Sequence, residues 1–79
     1  MNQLEVLRES LGQCDEIVLD ALLMRNRIVE DIMAYKEAND IPILQPEQEA
    51  KQREWLNRRM EGRRHKEEVT AVFEEITRN

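Results

Sequence analysis

The sequence has few of the residues that build strands, tight turns and disulfides. Its 79 residues include two Gly, two Pro and one Cys, with one each of Trp, Tyr and Phe. Strands are usually rich in β-branched and aromatic residues, and no run of such residues is present. The composition therefore predicts an all-α fold, and the length allows a single small domain over residues 1–79.

Signals for membrane insertion and secretion are also missing. No stretch of about 18 apolar residues occurs, so no membrane span is expected. The first residues, from Met1 to Glu5, lack the basic start and apolar core of a signal peptide. The single cysteine, Cys14, cannot form an internal disulfide, which fits a reducing compartment. Together these features predict a cytoplasmic protein without a membrane partner.

The charge balance argues against a general nucleic-acid binder. The chain carries 17 acidic and 12 basic side chains and a net charge of −5. One basic cluster is present and is best explained as a solvated connection, with RNA or another anionic partner as the alternative: Arg58, Arg59, Arg63, Arg64, His65 and Lys66. His65 is the only histidine, so neither a metal site nor a nucleophile–histidine pair is indicated. We expect no metal.

A long heptad pattern does occupy the first half of the chain. This heptad stripe consists of Leu4, Leu7, Leu11, Cys14, Val18, Ala21, Arg25, Ile28, Ile32 and Tyr35. It predicts a helix over residues 3–38, capped by Asn2 and stopped by Asn39-Asp40 and the Ile41-Pro42 step. Within it, Cys14 is expected to act as a small buried hydrophobic residue.

The length of this helix predicts a dimer. A helix over residues 3–38 is roughly 54 Å long, whereas a compact chain of this size is roughly 30 Å across. One end of the helix would project with its apolar stripe uncovered unless a second chain packs against it. The alternative is a kink at Gly12 that folds the helix back, since a helical glycine costs about 1 kcal/mol.

Two shorter helices are predicted in the second half. Pro46 suits the first position of a helix that runs to about Glu61 or Arg63. A third helix starts near Lys66 and continues to Asn79. Its apolar face is Val69, Val72, Phe73 and Ile76.

Arg25 and Lys36 are the candidate functional cations of the first helix. Arg25 replaces an apolar residue within the heptad stripe, and Lys36 follows eleven residues later on nearly the same face. A cation on a buried face needs an anion. That anion is either a structural carboxylate such as Glu49 or a bound ligand, and Lys36 has the further alternative of complementing the helix dipole.

Arg8 and Glu49 are further candidates. Arg8 precedes Arg25 by 17 residues, about 25 Å along one helix. It is therefore either a solvated surface residue or a residue that reaches the site of a second, antiparallel chain. Glu49, near the start of the second helix, would pair with a cation, accept a ligand hydroxyl or simply favour the helix N-terminus.

In order, these features resemble the all-helical class of chorismate mutases. The resemblance covers almost the whole chain and is strongest over residues 4–49. The segments that carry it are Leu7-Arg8-Glu9, Leu22-Leu23-Met24-Arg25-Asn26-Arg27, Tyr35-Lys36, Ile41-Pro42-Ile43 and Pro46-Glu47-Gln48-Glu49.

The resemblance implies an intertwined homodimer that converts chorismate to prephenate in phenylalanine and tyrosine biosynthesis, without a cofactor. Each pocket would take Arg25, Lys36 and Glu49 from one chain and Arg8 from the other. Arg8 and Arg25 would bind the two substrate carboxylates. Lys36 would contact a carboxylate and the ether oxygen, and Glu49 the ring hydroxyl.

The chain also departs from the family pattern. Gln45 stands where an Asp is usual and Gln48 where an Arg is usual. A Ser and a Gln of the family's third helix would fall at positions 80 and 84, so the chain looks truncated and is expected to have low activity. Two alternatives stay open: a weak or inactive dimerisation or regulatory module of an aromatic-biosynthesis enzyme, and an isochorismate pyruvate lyase. An unrelated coiled-coil protein is a further possibility.

Overall fold

The computed structural model describes residues 2–78 and is all-α, as the composition predicts. Helix α1 spans Gln3–Ala38, α2 spans Pro46–Met60 and α3 spans Lys66–Thr77, and residues 2–78 contain no strand. The chain forms two compact units, one ending at Ile43 and the other beginning at Leu44. Each unit is described by itself.

Helix α1 begins where the sequence predicts. The side chain of Asn2 caps it, because its Oδ1 accepts a hydrogen bond from the amide of Glu5 at 2.8 Å. The helix then continues without a break through Gly12 to Ala38. The alternative in which Gly12 folds the helix back is therefore wrong, and α1 is a single helix of 36 residues.

The C-terminus of α1 is closed by a Schellman motif. The amide of Ile41 donates to the carbonyl of Lys36 at 2.9 Å, and Asp40 adopts a left-handed conformation with φ of 53°. The side-chain amide of Asn39 also donates to the carbonyl of Tyr35 at 2.9 Å. These bonds satisfy carbonyls that the last helical turn leaves without partners, and they fix the path of the chain toward Pro42.

Helix α2 begins at Pro46, as predicted, and ends at Met60, just before the predicted range. Its N-cap residue, Gln45, makes no side-chain capping hydrogen bond. After the helix, Gly62 has a φ of 71°, a conformation that favours glycine, and the chain turns there.

Helices α2 and α3 pack through one small apolar cluster. The rings of Trp55 and Phe73 lie 5.8 Å apart at an angle of 54°, and Leu56 is the buried residue of α2. Helix α3 starts at Lys66, as predicted, and ends at Thr77. The prediction that this helix continues to Asn79 is wrong at Arg78, which is the C-cap residue and has an extended backbone; Asn79 itself lies outside the described residues.

Most of the apolar surface of the chain faces solvent. Leu56, at 7% exposure, is the only buried residue among residues 2–78. The heptad stripe of α1 is uncovered, with Leu11 at 60% and Ile32 at 47% exposure, and Cys14 is exposed with it. Within the described range no helix has the length and apolar character needed to span a membrane.

Candidate active site

Arg25 lies in an apolar groove on α1. Its side chain is partly buried although its neighbours along the heptad stripe, Val18 and Ile32, are exposed. The groove is lined by Ile17, Ala21, Met24, Ile28, Val29 and Ile32, with Asp20 at its edge. The groove is open to solvent, because its large apolar residues Ile17, Met24, Ile28 and Ile32 are 47% to 69% exposed.

Lys36 lies in a second groove, at the C-terminal end of α1. The other residues that line this groove are Val29, Glu30, Met33, Ala34, Glu37, Asp40, Ile41 and Ile43. The Lys36 ammonium Nζ donates a hydrogen bond to the main-chain carbonyl of Ile43 at 2.9 Å. Lys36 is therefore both a helix-terminal residue and an anchor for the segment that follows the helix.

The two cations are distinguished from all others in the chain by burial. Of the 12 Lys and Arg side chains, all within residues 2–78, only Arg25 and Lys36 are partly buried and the rest are exposed. Val29 lines both grooves and so joins them. The eleven-residue spacing corresponds to roughly 16 Å along the helix axis. Besides these two cations, Leu22 and Val29 are the partly buried residues of α1.

Arg8 stands apart from this pair within its own chain. It is exposed, and it lies on the same uninterrupted helix as Arg25. The separation of about 25 Å along the axis means that one chain does not bring Arg8 and Arg25 together.

The remaining candidates lie at the start of α2, in the second unit. Gln45 is partly buried, whereas Gln48 and Glu49 are exposed. The carbonyl of Gln45 accepts hydrogen bonds from the amides of Gln48 at 2.9 Å and Glu49 at 3.3 Å. A shallow hollow is formed by Gln48, Glu49, Lys51, Gln52 and Trp55. The first turn of α2 therefore presents amide and carboxylate groups, which suit hydroxyl recognition, and no cation.

The basic cluster is exposed at the turn between α2 and α3. His65 has a left-handed backbone, with φ of 62°, and its Nδ1 lies 3.0 Å from Oε2 of Glu68. Among the described residues, no group of three or more acidic, His or Cys side chains is placed to hold a metal ion.

The contact between Lys36 and Ile43 is one that sequence reasoning missed. A main-chain carbonyl has no residue-type signature, so the pattern of side chains gives no sign of it. The nearest signal is the Ile41-Pro42 step, which marks where the chain leaves the helix but not the carbonyl that the lysine reaches.

The described residues form three helices, and the longest of them carries the two partly buried cations. The family model for chorismate mutase type II matches residues 7–79, and the chain belongs to this family. Comparisons with curated proteins and with solved structures found no match.

Proposed function

We propose that the chain is a chorismate mutase, which rearranges chorismate to prephenate in the biosynthesis of phenylalanine and tyrosine. Family membership over residues 7–79 supports this substrate class. The observation that carries the proposal is the partial burial of Arg25 and Lys36 alone among the cations. Two cations on one apolar face suit a small dianion such as chorismate, because each cation would bind one of its carboxylates.

The chemistry needs positioning and charge stabilisation rather than a nucleophile. The rearrangement is intramolecular, so its rate depends on holding the substrate in a compact reactive shape. Arg25 would bind one carboxylate. Lys36 would contact a carboxylate and the ether oxygen, where negative charge develops as the bond breaks. Glu49 would accept a hydrogen bond from the ring hydroxyl, with Gln45 and Gln48 beside it.

Arg8 completes the site only from a second chain. The distance along α1 prevents Arg8 and Arg25 of one chain from gripping one small ligand. In an antiparallel homodimer, the start of one α1 would lie beside the middle of the other. The exposed heptad stripe supports this arrangement, because Leu56 is the only buried residue among residues 2–78 and most of their apolar surface is left in water.

A second candidate is a weakly active or inactive module of the same family that dimerises or regulates an aromatic-biosynthesis enzyme. The first turn of α2 favours it. Gln45 makes no side-chain cap, and Gln48 is neutral where the family usually has a cation. The site would then keep the groups that bind a dianion but have less positive charge to stabilise the transition state.

The decisive experiment follows the loss of chorismate absorbance with purified protein. Arg25→Ala should lower kcat/KM by about 10²–10³, the usual effect of removing one charge-stabilising donor. The matched control is Arg27→Ala, since Arg27 is an exposed arginine of the same helix, and it should retain turnover. Equal turnover in the two variants would contradict the assignment of Arg25 to the active site. No turnover in the unmodified chain, with retained binding of chorismate, would favour the second candidate.

The same protein should be offered isochorismate. Release of pyruvate from isochorismate, without conversion of chorismate, would assign the chain to the lyase reaction instead.

A further inference from the structure

Lys36 is tied twice to the segment that follows α1. Its carbonyl accepts from the amide of Ile41 at 2.9 Å, and its Nζ donates to the carbonyl of Ile43 at 2.9 Å. All three residues belong to the first unit. The side chain that is proposed to contact substrate is therefore held by the main chain a few residues away.

The acceptor of the Lys36 hydrogen bond is a neutral carbonyl, which leaves the charge of the ammonium group uncompensated. A lysine ammonium has three N–H donors and a flexible stem. A carboxylate partner would orient it but would also offset its charge. A carbonyl fixes one N–H while the full positive charge and two donors stay available for a substrate anion.

The Ile43 carbonyl follows a well-defined turn that ends at Ile41. The Schellman hydrogen bond closes the turn, and Asp40 occupies the left-handed region with φ of 53°. Pro42 then restricts the backbone immediately before Ile43. An acceptor on such a segment loses little freedom when it binds the ammonium, so it defines a direction for the lysine.

We propose that the main-chain carbonyl of Ile43 is a positioning group that aims the Lys36 ammonium at the bound substrate. This inference rests on the proposed function for its catalytic consequence. The positioning itself is a property of the free protein and is measurable without substrate.

The first test is the mobility of the lysine ammonium groups by ¹⁵N relaxation. The chain has three lysines, and the other two, Lys51 and Lys66, are exposed and serve as internal references. The Lys36 Nζ should be clearly more ordered than both. Mobility equal to that of Lys51 and Lys66 would overturn the proposal whatever the enzyme's activity.

The second test makes the Ile43 carbonyl a weaker hydrogen-bond acceptor by changing a single atom of the main chain. Replacing Leu44 with its α-hydroxy acid turns the Ile43–Leu44 amide into an ester, whose carbonyl is a poorer acceptor. The full chain is accessible by chemical ligation at its single Cys14. We expect the ester to lower kcat about tenfold and to make the Lys36 ammonium more mobile.

The matched control is the ester at the preceding bond, made by replacing Ile43 with its α-hydroxy acid. It removes one amide from the same segment but leaves the Ile43 carbonyl in an amide. The proposal requires the control to keep its kcat and its ordered lysine. An equal loss in both esters would show a general effect on the segment and would contradict the proposal.

A double-mutant cycle with Lys36→Met separates positioning from structure. If the carbonyl acts through the ammonium, the Leu44 ester should have no further effect on the residual rate of Lys36→Met. A tenfold loss of kcat caused by the Leu44 ester in the Lys36→Met background would contradict the proposal. Absence of turnover in the unmodified chain would instead count against the proposed function, and the relaxation result would still decide the positioning.

Discussion

Arg25 and Lys36 lie on the same face of α1, eleven residues apart, and they are the two partly buried cations of the chain. Val29 lines the groove around each of them, so the two grooves adjoin along the helix. Both side chains are long and flexible, which lets them approach one ligand from opposite ends. A single helix thus supplies two of the charges that the proposed reaction needs.

Shared active sites predict complementation between two inactive variants. Arg8→Ala and Arg25→Ala homodimers should each be nearly inactive. A heterodimer of the two contains one pocket with both arginines intact and one with neither. After unfolding and refolding an equal mixture, random pairing should restore about a quarter of the wild-type rate.

The control for complementation is the same mixture without refolding, in which chains do not exchange. A mixture that stays as inactive as its components after exchange would argue that Arg8 does not act across the dimer.

The exposed heptad stripe predicts that a charge placed on it prevents association. Leu11→Glu adds a carboxylate to a leucine that is 60% exposed in the single chain and that a second chain would cover. Burying an unpaired carboxylate is costly, so sedimentation should show monomers and circular dichroism should show lost helix. The control Gln13→Glu adds the same charge at a position outside the stripe and should remain dimeric. Dimers of unchanged stability in Leu11→Glu would refute this interface.

The two glycines should respond oppositely to alanine. An added Cβ meets nothing within 4 Å at either position, so backbone conformation decides the result. Gly12 is helical, and Gly12→Ala should raise the free energy of unfolding by about 0.5–1 kcal/mol. Gly62 has a φ of 71°, and Gly62→Ala should lower it by about 1 kcal/mol. Thermal unfolding measures the stability of both variants. A stability change of the same sign in the two would contradict the helical conformation of Gly12 or the left-handed conformation of Gly62.

The uncapped start of α2 predicts a stabilising substitution. Gln45→Asp introduces a side chain that accepts from the helix amides, which Gln45 does not do. The change should increase the free energy of unfolding by about 1 kcal/mol at neutral pH, and the gain should disappear when the carboxyl is protonated. Gln45→Asn is the control, since it caps without a charge and should keep its gain at low pH. An unchanged melting temperature in both variants would show that this helix start does not limit stability.

The local features of the fold are readable from the sequence, and the assembly is not. Asn2 and Pro46 mark the starts of two helices through short-range chemistry, and the Ile41-Pro42 step follows the end of the first. All three helices begin where predicted. Periodicity also selects Arg25 and Lys36 as candidates, and both are partly buried, although the apolar residues of the heptad stripe are exposed. The acceptor for Lys36 depends on how the chain leaves a helix, which side-chain patterns do not encode. The homodimer, the role of Arg8 and the contribution of Glu49 stay predictions.

The contact between Trp55 and Phe73 gives the molecule a built-in optical probe. The chain has one tryptophan, on α2, and one tyrosine, on α1, so each unit carries its own fluorophore. Tryptophan emission should report separation of α2 from α3, while tyrosine emission should follow changes near the end of α1. Comparing the two signals during denaturation would reveal whether both units melt as one cooperative transition or in succession.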